Sequence, residues 1–528
     1  RAAMDVLRMR GEFLPVHWRT DFPEAAAHGG FDVIIANPPW DVILPYRAEF
    51  FRDYIPDYGR LDTREAMKAE KTLLARDPAV RGIWQAYRKR VTTLNAYFLK
   101  TYASLQPRRG DGTFLRGHNN IYKVFLEKIY LLLAKDGLCG IIVPDNLNID
   151  SACTGLRRLL LQKTTIRELV TFVNRRKLFD IHGQYKFDVL TFMKRRPSPD
   201  AAFDAGFSWY DPVWLDGRPS AAHMAEHPLN AGRYHRRFRY PVATIFRNDP
   251  DTLTIWEFGS AGGMNVLGKL KSFPGIGDPE EELHILTSTE FNMTTDSDLF
   301  RRGGNGWPLF QGRTIHHYNA SFGPVERRVD PVEGEKRLAR RRRSLPDELP
   351  DRNFRLAWRV IAQATDSRSL IGTVIPPRVF CGNALNTAEI IYKGRTVSDP
   401  ELLSGVNVIL SSLCSDFYVR LRSAKNVNAF IVRSIPVPRD ISAIRKLGRL
   451  ALPLYLGAEF AAFRGGVPEI LDPEERIRRI ALLDAMTARL YGLGSEEYGL
   501  VLDSFPLLDE VVKRLYREAF GREEENGF

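Results

Sequence analysis

The tetrapeptide Asn37-Pro38-Pro39-Trp40 is the stretch of this chain whose residue types suggest a reaction. The chemistry it suits is transfer to an exocyclic amino nitrogen. Such a nitrogen is a poor nucleophile, because its lone pair is delocalised into the attached ring or carbonyl. The Asn37 side-chain oxygen and the Pro38 carbonyl can each accept one N–H, localising the lone pair as the nitrogen attacks an electrophilic methyl group. That arrangement stabilises charge where it develops. The prolines fix φ and add no competing donor, and Trp40 gives a planar heterocycle a face to stack on. The plain alternative is a turn that does no more than end a strand.

Such a cradle needs a rigid support. Phe31-Asp-Val-Ile-Ile-Ala36, directly before it, is short, apolar and rich in β-branched residues, which predicts a buried strand of a parallel sheet. In an open α/β sheet the ligand crevice lies beyond the carboxyl ends of the strands, where Asn37 to Trp40 would sit. Residues 41–118 read as a charge-rich helical insertion. Two readings stand for it: it wraps a substrate duplex, with Lys89 and Arg90 on phosphates, or it is a solvated helix face. From Asn120 to Gly137 apolar residues recur at helical spacing up to a glycine stop, and Leu138 to Pro144 follows as a strand. A helix is predicted around Gly155–Leu161, a strand over Ile166–Val173, a turn over Arg175–Gly183 and a strand over Lys186–Met193. Near Pro197-Ser-Pro-Asp200 the composition shifts to Pro, Gly, aromatic residues and Arg, which predicts a domain boundary. No βα alternation shows from there to about 440, and the remainder is helical.

The Asn37–Trp40 turn and the helix, glycine, strand, proline succession from Asn120 to Pro144 resemble the gamma-type N6-adenine DNA methyltransferases. The nearest likeness is to the large enzymes of type IIG restriction-modification and BREX-like phage-defence systems. It continues through Phe291–Phe300, Trp307–Tyr318, Arg355–Ala362, Val406–Leu413, Asn426–Pro438 and Arg479–Leu493. The resemblance implies an α/β fold: a partial Rossmann-like class I methyltransferase domain at 1–198, a mixed α+β target-recognition domain at 199–440 and a C-terminal helical region at 441–528. It implies methyl transfer from S-adenosyl-L-methionine to N6 of an adenine flipped out of double-stranded DNA, in a cytoplasmic system with a nuclease or helicase component. Asn37, Pro38, Pro39 and Trp40 would be catalytic, with Asn37 and Pro39 also lining the cofactor. The flipped base would be sandwiched between Trp40 and Phe179, offsetting part of an unstacking cost of a few kcal/mol. For Phe179 a core position is the other reading, and His182 and Tyr185 are further candidates.

Sequence readout would fall to a separate module, since a catalytic pocket sees one base. Arg313, His316 and His317 are read either as base readers or as loop residues. Arg340, Arg341, Arg342 and Arg343 end the densest basic run, suited to phosphate contacts or to a solvated helix. Two other function classes compete: methylation of another amino nitrogen, on an RNA base or glutamine, and a non-catalytic recognition subunit whose active site a partner completes.

The 528 residues suggest two to four domains, and a net charge of +12 favours a polyanionic partner. Cys139, Cys153, Cys381 and Cys414 are scattered with no C-x-x-C pair, so neither zinc nor a disulfide framework is indicated and a reducing cytoplasm fits. No metal is expected. No apolar run has the length of a membrane span, and no leader opens the chain. Gly263-Met-Asn-Val-Leu-Gly268-Lys269 imitates a phosphate loop, but Leu270 stands where Ser or Thr is needed. No Glu-x-Lys of a metal-dependent nuclease occurs. In the resembled family a Phe-x-Gly-x-Gly turn before the Asn-Pro-Pro motif holds the methionine end of the cofactor, and nothing before Asn37 matches it. With Arg as first residue, this predicts a chain that starts partway into its catalytic fold, binds cofactor weakly and is inactive by itself.

Overall fold

The computed structural model describes residues 16–106, 108, 112–115, 117, 119–212, 237–342, 352–362, 366–422 and 426–525. The chain divides into two compact units, Arg1–Gly259 and Ser260–Phe528.

The first unit contains α1 (Pro23–His28), β1 (Phe31–Ala36), α2 (Arg47–Arg52), α3 (Thr63–Arg76), α4 (Pro78–Thr101), α5 (Ile121–Leu132), β2 (Leu133–Pro144), α6 (Thr154–Lys163), β3 (Thr165–Val173), β4 (Lys186–Met193), β5 (Ala202–Trp209) and β6 (Phe238–Pro241). Its six strands lie in the order β1-β2-β4-β3-β5-β6. β1 runs parallel to β2, β4 is antiparallel to both β2 and β3, and β5 is parallel to β3. In β2 every second residue from Cys139 to Val143 is buried, as the strand period requires. α5 buries Tyr122, Leu126 and Ile129 on one stripe.

Three sequence expectations change with the structure. β1, predicted to be a buried strand, is an edge strand: among the described residues it pairs only with β2, and Val33 and Ile35 are 58% and 85% exposed. The helix predicted to run to Gly137 ends at Leu132, because Leu133 already pairs with Phe31 of β1. Gly137 lies inside the strand, where a Cβ would come within 2.7 Å of the Phe31 carbonyl oxygen. The boundary placed at 198/199 falls within the first sheet, since β5 and β6 extend it, and the units divide at 259/260 instead.

The insertion is helical as read. Asp62 and Glu65 form a capping box at the start of α3, and Asp77 caps α4 with Pro78 in its first turn.

The second unit opens with α7 (Ala261–Leu270), so the apparent phosphate loop around Gly263 and Gly268 is helix rather than loop. It continues with β7 (Leu283–Ser288), β8 (Trp307–Phe310), β9 (Arg328–Val329), α8 (Pro331–Arg342), β10 (Arg355–Arg359), β11 (Gly372–Ile375), β12 (Phe380–Cys381), β13 (Leu385–Tyr392) and β14 (Arg395–Thr396). The strands form one sheet ordered β11-β10-β13-β14, with β7 also on β13, and a small sheet β12-β8-β9. Helices α9 (Pro400–Ser411), α10 (Leu413–Arg422), α11 (Ile441–Ala451), α12 (Pro473–Leu490), α13 (Ser495–Asp503) and α14 (Glu510–Glu525) complete it. α9 and the first seven residues of α10 are almost wholly buried, which makes them core helices. Among the described residues no single helix is long and apolar enough to cross a membrane.

Candidate active site

The Asn37–Trp40 turn leaves the carboxyl end of β1 and is tied to the start of α5. The Asn120 side-chain amide donates to the Trp40 carbonyl (3.2 Å), the Ile121 N–H to the Asp41 carbonyl (2.9 Å) and the Ile43 N–H to the Asn119 carbonyl (2.7 Å). Asn37 is exposed, Pro38 buried and Trp40 half-buried. The Asn37 side chain is therefore open to an incoming group, while Pro38 is held from behind.

Trp40 belongs to an aromatic cluster with Phe172, Phe179, Phe187 and Trp209. The structure brings Trp40 and Phe179 together, their ring centroids 5.4 Å apart, but at an interplanar angle of 63°. Tyr185 is the ring that lies nearly parallel to Trp40, at 6.1 Å and 14°. A flat base between two rings separates them to about 7 Å, twice a carbon contact distance. The Trp40–Tyr185 pair already has the parallel orientation that a stacked base requires, whereas Phe179 would have to rotate.

Phe179 is positioned by Asn174, a fully buried residue that sequence reasoning missed. Its amide nitrogen donates to the Phe179 carbonyl (2.9 Å) and the Ile181 carbonyl (3.2 Å), and its oxygen accepts from the Phe179 N–H (3.1 Å). The Asn174 N–H donates to the Tyr185 carbonyl at 2.9 Å, closing the base of the loop. A polar residue directly after an apolar strand was the available signal.

Carboxylates, also missed, lie near Tyr185 and on the sheet face opposite the rings. Asp188 faces Val143 of β2 and Thr171 of β3 in register, and the Thr171 hydroxyl donates to it at 2.5 Å. Burial, then neighbouring Asp145, pushes the Asp188 carboxyl well above the usual carboxylate range. Asp145 itself is pushed up to about 7, by burial first and then by Glu257. Glu257 accepts from Lys186 (2.6 Å) and from Ser208 (3.1 Å). Burial works against the Lys186 ammonium, yet Glu257 leaves its pKa raised on balance. The Tyr185 phenol is raised by burial and then by Asp145. An acid inside the apolar strand Phe187-Asp188-Val189-Leu190 was the sequence signal for this cluster.

The expected DNA-contacting residues lie in the second unit and mostly have internal partners. Arg313 is ion-paired with Glu326. His316 packs on Phe322, and burial, then Arg359, holds its pKa below the ordinary histidine value. The ring nitrogens of His317 are buried. Arg341 reaches both Asp296 oxygens at 2.6 Å and the Glu290 carbonyl at 2.7 Å, so it is not free for phosphate. Arg337 bonds Asp296 and Asp298. Arg340 is exposed at the end of α8. The side chain of Arg342 and the whole of Arg343 lie outside the described residues. Among the described residues no group of three or more His, Cys, Asp or Glu could hold a metal ion.

Residues 90–179 match the model of the Eco57I restriction-modification methylase family. Over these residues, about a sixth of the chain, it is similar to the Eco57I restriction-modification methylases. The Eco57I-type stretch takes in the second half of α4, then α5, β2, α6, β3 and the loop as far as Phe179; the Asn37–Trp40 turn precedes it. No curated protein sequence matches the chain. Among solved structures it is similar to the type IIL restriction-modification enzyme MmeI in complex with DNA, at 11% identity and a TM-score of 0.44, over 96% of this chain and 59% of that one. It is also similar to the type IIG restriction endonuclease BpuSI, at 10% identity and a TM-score of 0.28, over 77% and 50% of the two chains. A third similarity is to the ATP-dependent type ISP enzyme LlaBIII bound to DNA, at 9% identity and a TM-score of 0.37, over 84% and 31%. The chain thus spans well under two thirds of each of these proteins.

Proposed function

We propose that the chain is the base-holding and DNA-recognition part of a site-specific adenine N6-methyltransferase of a restriction-modification or phage-defence system. The observation that carries this reading is the exposed Asn37 carboxamide at the end of β1, three residues before a tryptophan that already stands nearly parallel to a second ring. A flipped adenine enters between Trp40 and Tyr185, with Phe179 closing the edge. The Asn37 oxygen and the Pro38 carbonyl accept the two N6 hydrogens, and the rings hold the heterocycle flat while N6 becomes nucleophilic. Asp145 lies near the Tyr185 phenol and Asp188 on the opposite face of the sheet, and both hold protons more tightly than surface carboxylates do.

The residues described do not fit the methionine end of S-adenosylmethionine. Among them no strand lies on the outer side of β1, and Gly29 closes α1 in the left-handed region. A Cβ on the adjoining Gly30 would overlap the Leu132 carbonyl, so Gly30 is packed against the end of α5 and is not open to a ligand. The exposed outer edge of β1 favours a second reading for the chain in isolation: it binds DNA and presents the acceptors, and a further polypeptide segment completes the methyl-donor side. Double-stranded DNA is the substrate in either reading, a nuclease or helicase component the natural associate, and the cytoplasm the natural setting.

The test is modified-base sequencing of DNA from a host expressing the whole gene, beside Asn37→Ala. N6-methyladenine at a fixed sequence, lost in the variant, is expected. Unmodified adenines, or modification undiminished in Asn37→Ala, overturn the proposal.

A further inference from the structure

One surface of the first unit is charged far beyond its surroundings. α4 carries five cations, Arg81, Arg88, Lys89, Arg90 and Lys100, and no Asp or Glu over its 24 residues. All five are exposed, and among the described residues none takes part in an ion pair or side-chain hydrogen bond. α3 adds four further exposed cations. The carboxylates of this hairpin are used internally: Asp62 and Glu65 in the capping box of α3, Asp77 at the cap of α4, and Glu70 buried against Arg47 and Tyr58. The arginine run of α8, denser in sequence, is the opposite case, because Arg337 and Arg341 already have Asp296.

The hairpin is rooted beside the catalytic turn. Val91, Phe98 and Leu99 of α4 pack on the cluster containing Ile43, three residues past Trp40. The Asn119 side chain donates to Asn95 at 2.8 Å, and the Tyr46 N–H to the Tyr87 hydroxyl at 3.2 Å. Helical periodicity puts Arg81 and Arg88 on one flank and Lys89 and Lys100 on the back, away from the stripe of Trp84, Val91 and Phe98. At 1.5 Å per residue α4 is roughly 36 Å long, about one turn of duplex DNA.

We propose that the α3–α4 hairpin is a duplex clamp, its exposed cations lying on the phosphates that flank the flipped base. The inference rests on the DNA reading above and deepens it: the clamp contacts backbone only, so its contribution is independent of sequence and strongly dependent on salt.

The test is fluorescence anisotropy of the full chain on a mixed-sequence 30-base-pair duplex over a salt series. The variant is Arg81→Gln, Arg88→Gln, Lys89→Gln and Lys100→Gln combined, glutamine being chosen because it keeps helix propensity. A control removes the same charge elsewhere (Lys163, Lys393, Arg395 and Arg514, each to Gln). At about 0.9 per phosphate contact, the slope of log affinity against log salt should fall by about 3 to 4 in the clamp variant and by less than about 1 in the control. Equal slopes for wild type and clamp variant, or equal losses in both variants, overturn the clamp while leaving duplex binding standing. Single-stranded RNA of the same length competing as well as the duplex overturns it also. Failure of the wild type to bind duplex at low salt defeats the DNA reading itself, and the clamp with it. If the fourfold variant does not fold, Arg81→Gln with Arg88→Gln must lower the slope by about 2, and an unchanged slope is decisive against the clamp.

Discussion

Replacing Asn174 by Ala tests whether one buried amide holds the aromatic loop against Trp40. The Phe179 carbonyl retains the Ile181 N–H at 2.8 Å and the Ile181 carbonyl retains the Lys177 ammonium at 3.1 Å, so both keep a partner. The Phe179 N–H loses the Asn174 oxygen. An orphaned N–H costs about 1–3 kcal/mol and the two lost donor bonds add a little, giving about 2–3 kcal/mol against the closed loop. Arg176 still pairs with Asp211 at 2.7 Å, and Arg175 still lies over Tyr210 at 4.8 Å, so the loop is loosened without being released. About 2 kcal/mol multiplies the open population roughly 30-fold, and cleavage that is slow relative to reclosing follows that population. Trypsin cuts at Arg175, Arg176 and Lys177 and reads it directly. The first cut in this loop should be about 30-fold faster in the variant, with the unfolding midpoint of the second unit unchanged. Cleavage within about threefold of wild type would refute the assignment of Asn174 as the clamp on Phe179.

The remaining predictions concern buried charge. Asp145, raised from 3.8 to about 7, keeps its proton in the folded state over a range where the unfolded chain has lost it. The stability of the first unit should therefore fall as pH rises from about 4 to about 7 and level off above, by at most about 4 kcal/mol. Urea midpoints at pH 5 and pH 8 check this against Asp145→Asn, whose decline should be smaller; identical declines would mean that the Asp145 carboxyl is not the group responsible. In the second unit Arg355 and Glu290 are both fully buried, with Glu290 accepting from Arg355 at 3.0 and 2.8 Å and from the Cys381 N–H at 2.8 Å. Glu290→Gln leaves the guanidinium uncompensated and should cost about 3–5 kcal/mol in thermal unfolding of that unit. A loss under about 1 kcal/mol counts against a buried, mutually dependent charge pair.

The strand Lys186–Met193 was legible to the residue, because an alternating β-branched and aromatic pattern fits no other element. The helical insertion and the closing helices were legible for the corresponding reason, periodicity near 3.6. The junction between α5 and β2 was not: Ile129 to Ala134 is one apolar run that satisfies both periods, and only pairing of Leu133 with Phe31 ends the helix. The sequence left the arginine run of α8 evenly between a phosphate surface and a solvated helix, and read most of the insertion that holds α4 as a solvated face. It cannot show that Asp296, more than forty residues upstream, occupies Arg337 and Arg341, or that the carboxylates near α4 are turned inward.

The amino-acid order alone determined the chemistry offered at Asn37 to Trp40, since the residue types and the proline-fixed φ are local properties that need no partner. Tertiary structure decided which ring lies parallel to Trp40, which carboxyls are pushed upward, which cations stay free and which face of β1 stays open. Each of those depends on distance and burial set by chain segments far apart in sequence, and no local pattern encodes them.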